Sequence, residues 1–262
     1  MAEAAARGGW PRTLTTLAVL LGVGSVAAAL IAAFGAGQEL WHFGVGFTVL
    51  RYAFYAAIAG AVLGLVGLIV ARLKRRGGLI LPNLLALIVA LGFVLYLGNQ
   101  VRTARSVPAI HDISTNLDDL PQFGKLKVRE DNLENIPDMD RPELKALEPE
   151  ARWKAIHREA YGDIRPIHVP MSVEDTIRRA AALARDRGWQ VALMDPAAGV
   201  LEATETTLFF RFKDDVVVRA RPAPQGGSIV DMRSISRVGG SDVGVNAKRI
   251  RAFLADLQAQ GS

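Results

Sequence analysis

The sequence predicts a membrane protein in which three N-terminal transmembrane helices precede an α+β domain. Three uncharged apolar runs fill most of the first hundred of 262 residues, and each has about the 20 residues that span a bilayer as a helix. The rest of the chain is rich in charge, with helical patterns on either side of short strand-like runs. We therefore expect a transmembrane region with a short tether, residues 1–105, and an α+β domain with an antiparallel sheet and flanking helices, residues 106–262.

Composition and charge exclude several classes of protein. Half of the residues are hydrophobic and none is cysteine, so the chain has neither a disulfide framework nor a thiolate metal site. Residues 1–105 carry nine basic and two acidic residues, whereas residues 106–262 carry 22 basic and 24 acidic ones. A nucleic-acid-binding protein places its positive charge on the folded domain. Because this domain is slightly acidic, we expect no nucleic-acid partner.

The apolar runs are densest over residues 14–34, 52–71 and about 79–98. The first run is longer than the core of a typical signal peptide and two more runs follow it, so we interpret it as a retained helix. No acidic residue lies between Glu39 and Asp112. Because ion and proton paths need polar or charged groups within the membrane, a transporter or channel is not expected.

Positive charges set the predicted orientation in the membrane. Four basic residues lie between the second and third runs, whereas Arg51 is the one basic residue between the first and second. Since cytoplasmic loops carry an excess of Lys and Arg, the N-terminus and the second loop are predicted to be cytoplasmic. Arg102 and Arg105 favour the opposite orientation, but two charges ahead of a large domain count for less than a cluster of four. We expect a multi-pass protein of the bacterial cytoplasmic (inner) membrane with a periplasmic C-terminal domain.

Small residues line one face of the second run, where Gly60 and Gly64 form a GxxxG pair. Such faces let membrane helices approach closely. We expect this face to pack the three helices of one chain together. The alternative is a homo-oligomer or a membrane-protein partner bound through the same face, in addition to the lipid bilayer that the apolar runs imply.

The domain is predicted to begin after a tether, residues 101–107, and to wrap residues 124–165 over its surface around one helix near 149–160. Ser172 begins a second helix that ends near Gly188, because Glu174 and Asp175 suit a helix N-terminus. Short turns, one of them at Asp214-Asp215, join five predicted strands: 189–194, 200–204, 207–212, 216–221 and 228–238. A final helix with an apolar stripe should cover the sheet.

Residues 231–251 carry the candidate binding site. A strand with Arg233 and Arg237 on one face leads into a Gly-Gly turn and then a helix N-terminus, whose free N–H groups favour negative charge. The candidate ligand-binding residues are Arg233, Arg237, Asp242, Asn246, Arg249, His111 and Asp112. The alternative is a structural network in which Ser241 or Asp242 caps the helix and acidic residues neutralise the arginines.

The strand pairing bears on which arginine is available. A hairpin centred on residues 222–227 places Arg219 opposite Asp231 and Val217 opposite Arg233. Opposite charges at directly facing positions stabilise a sheet by about 0.2–1 kcal/mol. Arg219 is then neutralised, which leaves Arg233 or Arg237 for Asp242 or for a ligand.

A periplasmic hydrolase is the alternative function, with His111 and Asp112 acting on a serine of residues 234–241. No Gly-x-Ser-x-Gly elbow is present, and serines that alternate with apolar residues on a strand are more often core hydroxyls. The histidines His111, His157 and His168 do not sit at metal-ligand spacing. We therefore expect binding or assembly of a protein, lipid or small anion rather than catalysis, with no metal and no cofactor.

Several motifs resemble a known family in their order along the chain. They are Pro108-x-Ile-His-Asp-Ile-Ser-Thr, Leu201-Glu-Ala-Thr, Phe210-x-Phe-x-Asp-Asp-Val-Val-Val-Arg219, Asp231-x-Arg-Ser-x-Ser-Arg-x-Gly-x-Ser-Asp and Tyr161-Gly-Asp-Ile-x-Pro166. Together they resemble the domain-of-unknown-function family numbered fourteen-ninety-nine (DUF1499) over most of residues 106–258, although that family is expected to have Pro where Gly162 stands. The resemblance implies occurrence in bacteria and plastid-bearing organisms, and no assigned activity.

Overall fold

The computed structural model describes residues 2–259, with side chains from residue 9 onward. The last three residues of the predicted domain lie outside the described residues. The chain forms two compact units, Met1–Arg102 with Leu208–Arg211, and Thr103–Thr207 with Phe212–Ser262.

Three long helices form the first unit: α1 (Ala2–Gly37), α2 (Phe43–Leu73) and α3 (Ile80–Ser106), with a 3-10 turn at Gly77–Leu79. All three are long and apolar enough to cross a membrane, which confirms the three predicted spans. Helix α2 begins well before residue 52, because His42 caps it by accepting a hydrogen bond from the Gly44 N–H at 3.1 Å.

The tether predicted at residues 101–107 is helical for most of its length, because α3 continues to Ser106. Neither Pro nor Gly interrupts residues 99–107, and each residue added to an existing helix gains a backbone hydrogen bond. Pro108 disfavours the helical conformation in the residue before it, so the helix ends just ahead of it.

The Gly60 and Gly64 face of α2 packs against the chain's own helices. A Cβ atom at Gly60 would lie 2.4 Å from the backbone N of Gly22 in α1, and one at Gly64 would lie 3.1 Å from the carbonyl O of Asn83 in α3. Asn83 is fully buried and donates to Thr15 Oγ1 at 2.8 Å, which links α3 to α1. This is the first of the two arrangements expected for that face. A homo-oligomer or another membrane protein at the same face stays a prediction.

The second unit contains the predicted antiparallel sheet. Its strands are β1 (Asp112–Ser114), β2 (Ile167–Val169), β3 (Gln190–Asp195), β4 (Val200–Thr206), β5 (Lys213–Pro222) and β6 (Ser228–Ser236). The order across the sheet is β1-β6-β5-β4-β3, and β2 also pairs with β6. The flanking helices are α4 (Pro142–Lys145), α5 (Pro149–Tyr161), α6 (Val173–Asp186) and α7 (Val245–Ala259). The α+β prediction is therefore confirmed.

The predicted β5–β6 hairpin register is confirmed. Arg219 lies opposite Asp231 and Val217 lies opposite Arg233. Because successive side chains of a strand point to opposite faces, Asp231 and Arg233 lie on one face of the sheet and Met232 lies on the other. The charged side chains of β6 thereby lie on the face of the sheet opposite to the apolar side chain of Met232.

The turn predicted at Asp214-Asp215 and the strand predicted over residues 207–212 were both wrong. Both aspartates lie inside β5, and residues 207–212 form the turn between β4 and β5. Asp and Asn favour turns when they are exposed to solvent, but Asp214 and Asp215 are buried and paired with arginines. The turn is closed instead by the Thr207 N–H, which donates to the Phe212 carbonyl at 2.9 Å.

The hydrophobic core lies between the sheet and its helices. Val216, Val218 and Met232 belong to the same buried cluster as Ile177 of α6 and Phe253 of α7, and Trp189 stacks on Phe253 with ring centroids 5.1 Å apart. Residues 115–132 form a covering segment that bonds to the charged side chains of the opposite face. The polar side chains buried beneath this segment are therefore candidates for a functional site.

Candidate functional site

Arg233 and Asp112, two of the candidate ligand residues, bind each other. Nε of Arg233 donates to Oδ1 of Asp112 at 3.0 Å and Nη2 donates to Oδ2 at 2.7 Å. Both side chains are buried. Removing one partner of a buried pair leaves the other charge unpaired, at a cost of about 3–5 kcal/mol. This pair therefore fixes β1 against β6.

His111 is joined to the same pair through Asn132. Nε2 of His111 lies 3.2 Å from Oδ1 of Asn132, whose Nδ2 donates to Oδ2 of Asp112 at 2.7 Å. Since an amide oxygen can only accept, Nε2 of His111 carries a proton. His111 is buried, and its Nδ1 has no hydrogen-bond partner among the described residues. His111 and Asp112, which the sequence placed in one candidate site, thus lie close together, with the side-chain amide of Asn132 between them.

Asp231 is fully buried and holds two arginines of β5. Its Oδ2 accepts from Nη2 of Arg219 at 2.9 Å and from Nη2 of Arg221 at 2.7 Å. Both arginines also reach Asp119 on the covering segment, and the hydrogen bond from Arg219 holds the pKa of Asp119 below its usual value. The cross-strand pair expected for Arg219 is confirmed, with Arg221 as an additional partner.

Arg237 makes a bidentate pair with Asp215. Its Nε and Nη2 lie 2.8 Å from the two carboxylate oxygens, and Asp215 is buried. The pair borders a cavity of about 180 Å³. The lining residues are Phe123, Lys127, Val128, Arg129, Asp215, Ile235, Ser236 and Arg237. Arg237 is thus a candidate site residue that lines a cavity, but its charge is already matched.

Glu202 binds the covering segment through backbone N–H groups, a contact that sequence reasoning missed. Its carboxylate accepts from the N–H groups of Gly124, Lys125 and Leu126 at 2.6–3.1 Å, and the side chain is fully buried. Backbone N–H donors satisfy a buried carboxylate in place of a cationic side chain. An acidic residue inside a predicted apolar strand was the available signal.

A second polar network lies between β6 and α7. Asn246 donates to the His111 carbonyl at 2.9 Å and to Ser236 Oγ at 3.0 Å, and its Oδ1 accepts from Ser234 Oγ at 2.6 Å. Arg249 donates to Asp214 Oδ2 at 2.6 Å and also contacts Glu205 and Asn246. Asn246 and Arg249 therefore join the last helix to the sheet, on the face opposite to Arg233.

Asp242 caps the last helix. Its Oδ2 accepts from the Asn246 N–H at 2.7 Å and its Oδ1 accepts from the Gly244 N–H at 2.8 Å. Burial raises the pKa of Asp242, and the two backbone hydrogen bonds act in the opposite direction. Val243 and Gly244 have φ values of 56° and 77°, so the helix begins at Val245 rather than at Ser241 or Asp242. The cap occupies the N–H groups that an anion would need.

The serines do not form a catalytic arrangement with His111. Ser234 donates to Asn246, Ser236 accepts from Asn246, and Ser241 Oγ accepts from the Val243 N–H at 3.1 Å. No serine hydroxyl is hydrogen-bonded to a histidine ring within residues 9–259. A triad requires such a bond or its close approach, so the geometry gives the hydrolase alternative no support.

The three histidines of the domain, His111, His157 and His168, each bond to a different partner. His157 is buried, its Nε2 accepts from the Ser114 N–H at 3.2 Å, and burial lowers its pKa to about 4. His168 Nε2 bonds the Gly226 carbonyl at 2.8 Å. Within the part of the chain that the structure describes, no group of three or more His, Cys, Asp or Glu residues could hold a metal ion.

A groove of about 560 Å³ lies between residues 114–118 and 157–166. Arg158 pairs with Asp118 at 2.8 Å in an exposed ion pair, whereas Nε of Arg165 donates to the Gly162 carbonyl at 2.8 Å. Among the described residues, Arg165 has no carboxylate partner. The groove was missed because its two walls, residues 114–118 and 157–166, are far apart in the sequence. None of the seven candidate site residues lines it.

Comparison with known proteins identifies the family. The family model described as "Protein of unknown function (DUF1499)" matches residues 112–257. The chain belongs to this family. No curated protein matches the DUF1499 chain.

The motifs that carried the DUF1499 resemblance correspond to the contacts described above. Leu201-Glu-Ala-Thr contains Glu202, and the segment that starts at Pro108 contains the partners of Arg233 and Asn246. The segment Tyr161-Gly-Asp-Ile-x-Pro166 forms one wall of the groove. Several motif residues therefore hold the fold together, and residues of the DUF1499 motifs also line the groove and the cavity beside Arg237.

Proposed function

We propose that this chain is a membrane-anchored, extracytoplasmic binding module whose groove between residues 114–118 and 157–166 takes an acidic group of a ligand. A protein side chain, a lipid headgroup and a small anion all carry such a group. Supporting this, the groove volume of about 560 Å³ falls within the range of roughly 300–1,000 Å³ that is usual for ligand sites.

The proposal rests on the guanidinium of Arg165, which has no carboxylate partner among the described residues. Arg233, Arg237 and Arg249 are each matched by buried carboxylates, so binding an anion there would require breaking an existing pair. The Nε–H of Arg165 donates to the Gly162 carbonyl, which leaves the Nη groups of this arginine for a carboxylate or phosphate. Arg158 adds positive charge beside it, because its exposed pair with Asp118 is weak.

The proposed location is the bacterial cytoplasmic membrane, with the N-terminus in the cytoplasm and the C-terminal domain in the periplasm. Its support is the charge near the helix ends: Arg72 in the last turn of α2 is followed by Lys74, Arg75 and Arg76 before α3, whereas Arg51 is the one basic residue in the first turns of α2. A periplasmic domain would meet its ligand outside the cytoplasm.

Calorimetric titration of the full-length protein in uncharged detergent tests the groove. Inorganic phosphate, a phosphomonoester and a dicarboxylate are titrated into the parent chain and into Arg165→Glu. We expect at least one of these anions to bind the parent, and the charge reversal to weaken that binding at least tenfold. Arg185→Glu is the matched control, because Arg185 is an exposed arginine on α6 away from the groove.

Two results would contradict the proposal. The first is that none of the anions binds the parent chain. The second is that Arg165→Glu and Arg185→Glu weaken binding equally, which would indicate that the net charge of the domain matters rather than the groove.

A further inference from the structure

The turn between β4 and β5 carries three consecutive apolar residues, Leu208, Phe209 and Phe210, within a charged domain. Leu208 is 72% exposed and Phe209 is 38% exposed. Hairpin turns ordinarily consist of Gly, Asn, Asp and Ser, and an exposed apolar cluster of this kind marks an interaction site. Unlike the arginine clusters, this turn makes no contribution to the groove or to the charged face.

The turn is held in a defined conformation. The Phe212 N–H donates to Thr207 Oγ1 at 2.8 Å, the Thr207 N–H donates to the Phe212 carbonyl at 2.9 Å, and Arg211 has a φ of 53°. These contacts turn the chain sharply and leave the three apolar side chains at the tip. The exposure of Leu208 and Phe209 is thus a fixed feature of the hairpin, whereas Phe210 is half-buried.

Leu208–Arg211 belong to the same compact unit as the three apolar helices. The Phe209 ring meets the Phe34 ring edge-on at 5.7 Å, and the Phe210 ring stacks on the Phe47 ring at 4.8 Å. Phe34 is close to the end of α1 and Phe47 is close to the start of α2. The tip therefore lies where two apolar spans end.

Glycines provide the space for the tip at both helix ends. A Cβ atom at Gly37 would lie 2.7 Å from the carbonyl O of Phe209, and one at Gly46 would lie 2.7 Å from Cε1 of Phe210. No side chain larger than hydrogen fits at either position without displacing the tip. The close approach explains why glycine is needed at these two sites.

We propose that the β4–β5 tip is a lipid-binding anchor that enters the interface of the bilayer beside the α1–α2 connection. Leu208 and Phe209 expose apolar surface at the level where the spans end, so the surrounding medium is the boundary between acyl chains and headgroups. Arg211 and Lys213 follow directly and supply positive charge to lipid phosphates. Leu40, in the α1–α2 connection, is also exposed.

Because the chain has no cysteine, a single one can be introduced and labelled uniquely. Leu208→Cys in the full-length protein is labelled with an environment-sensitive fluorophore and reconstituted into vesicles of phosphatidylcholine and phosphatidylglycerol. The vesicles carry spin-labelled lipid, with the label either near the headgroup or at the chain end. Gln225→Cys, in the exposed turn between β5 and β6, is the matched control.

We expect headgroup-proximal spin labels to quench the probe at residue 208 at least twofold more than the probe at residue 225, with less quenching by chain-end labels. Equal quenching at the two positions would overturn the proposal. So would a probe at residue 208 that is shielded from aqueous iodide yet unquenched by lipid, since a protein would then cover the tip. Because Leu208 is largely exposed, its substitution leaves the fold intact, and an unchanged melting temperature verifies this. Phe209→Cys, labelled in the same way, provides an independent second position.

Discussion

At the scale of single residues, the arginines of residues 233–249 distinguish a structural network from an open anion site. Each arginine pairs with a carboxylate that lies on another element than its own. Arg233 pairs with Asp112 of β1, whereas Arg237 and Arg249 pair with Asp215 and Asp214 of β5. Two of the three arginines are buried together with their partners, and Arg237 alone is half-exposed. Arg237 is therefore the residue whose substitution is most informative.

Arg237→Ala should lower the stability of the domain. The substitution removes the bidentate partner of a buried carboxylate, and leaving such a group short of hydrogen bonds costs about 1–3 kcal/mol. Thr204 still donates to Asp215 at 2.7 Å, so the loss stays within that range. Thermal unfolding of the full-length protein in detergent measures the change, with Arg185→Ala as the control. An unchanged melting temperature would return Arg237 to the list of candidate ligand residues.

His157 should make the protein sensitive to weak acid. Its folded pKa of about 4 lies below the unfolded value of 6.5, so between these values the unfolded chain binds more protons than the folded one. The stabilisation is fully present above pH 6.5, decreases as the pH falls, and is lost below the folded pKa. A shift of this size corresponds to about 3 kcal/mol.

His157→Gln tests this expectation, because a glutamine oxygen can still accept from the Ser114 N–H. The free energy of unfolding is measured at pH 7 and pH 4.5 for both chains, which removes the contribution of other groups such as Asp242. The parent should lose more stability than the variant over this interval. Equal losses would show that His157 titrates in the folded state as it does in the unfolded chain.

At the scale of elements, the carboxylate of Glu202 fixes residues 124–126 of the covering segment on the sheet. Glu202→Gln keeps the shape of the side chain but removes the charge and turns an N–H₂ group toward N–H donors. We expect a loss of about 1–3 kcal/mol and faster hydrogen exchange at residues 124–126, with exchange in β6 unchanged. Glu174→Gln, an exposed residue of α6, is the control. Uniformly faster exchange across the domain would contradict a local role.

Glycine packing within the first unit can be tested with a matched pair. Gly60→Leu places a side chain against the backbone of Gly22, whereas Gly92→Leu in α3 meets nothing within 4 Å. Overpacking costs about 1–3 kcal/mol, so the first variant should melt at a lower temperature in detergent and the second should not. Equal melting temperatures would mean that α1 and α2 separate readily at Gly60.

The sequence predicted an element correctly when the contacts that determine it are between residues close together in the chain. Periodicity and caps predicted the spans, α5, α6 and the β5–β6 register, because the deciding contacts are local. The turn at Asp214-Asp215 failed because Arg249 and Arg237, which bury these aspartates, are more than 20 residues away. For the same reason the groove could not be predicted, and the seven candidate residues were grouped although they divide between two faces of the sheet.

At the scale of the whole molecule, the orientation of the three spans determines where the domain works. Alkaline phosphatase fused after the C-terminus should be active, and the same enzyme fused after Arg76 should be inactive, because this enzyme requires the periplasm to fold. Activity measurements in whole cells, with equal expression of both fusions, test the proposed location. The reverse pattern would place the domain in the cytoplasm.

The pairing of β6 sets the order in which the domain can be assembled. Strands β1 and β2 pair with β6 alone, and β5 uses the other edge of β6. Synthesis runs from the N-terminus, so residues 112–114 must wait for more than a hundred later residues before they find their partner. Strands β1 and β2 therefore stay unpaired until β6 has been made, whereas β3, β4 and β5 can pair with one another earlier. Because β6 is the last strand, the complete sheet can close only after residue 236 has been synthesised.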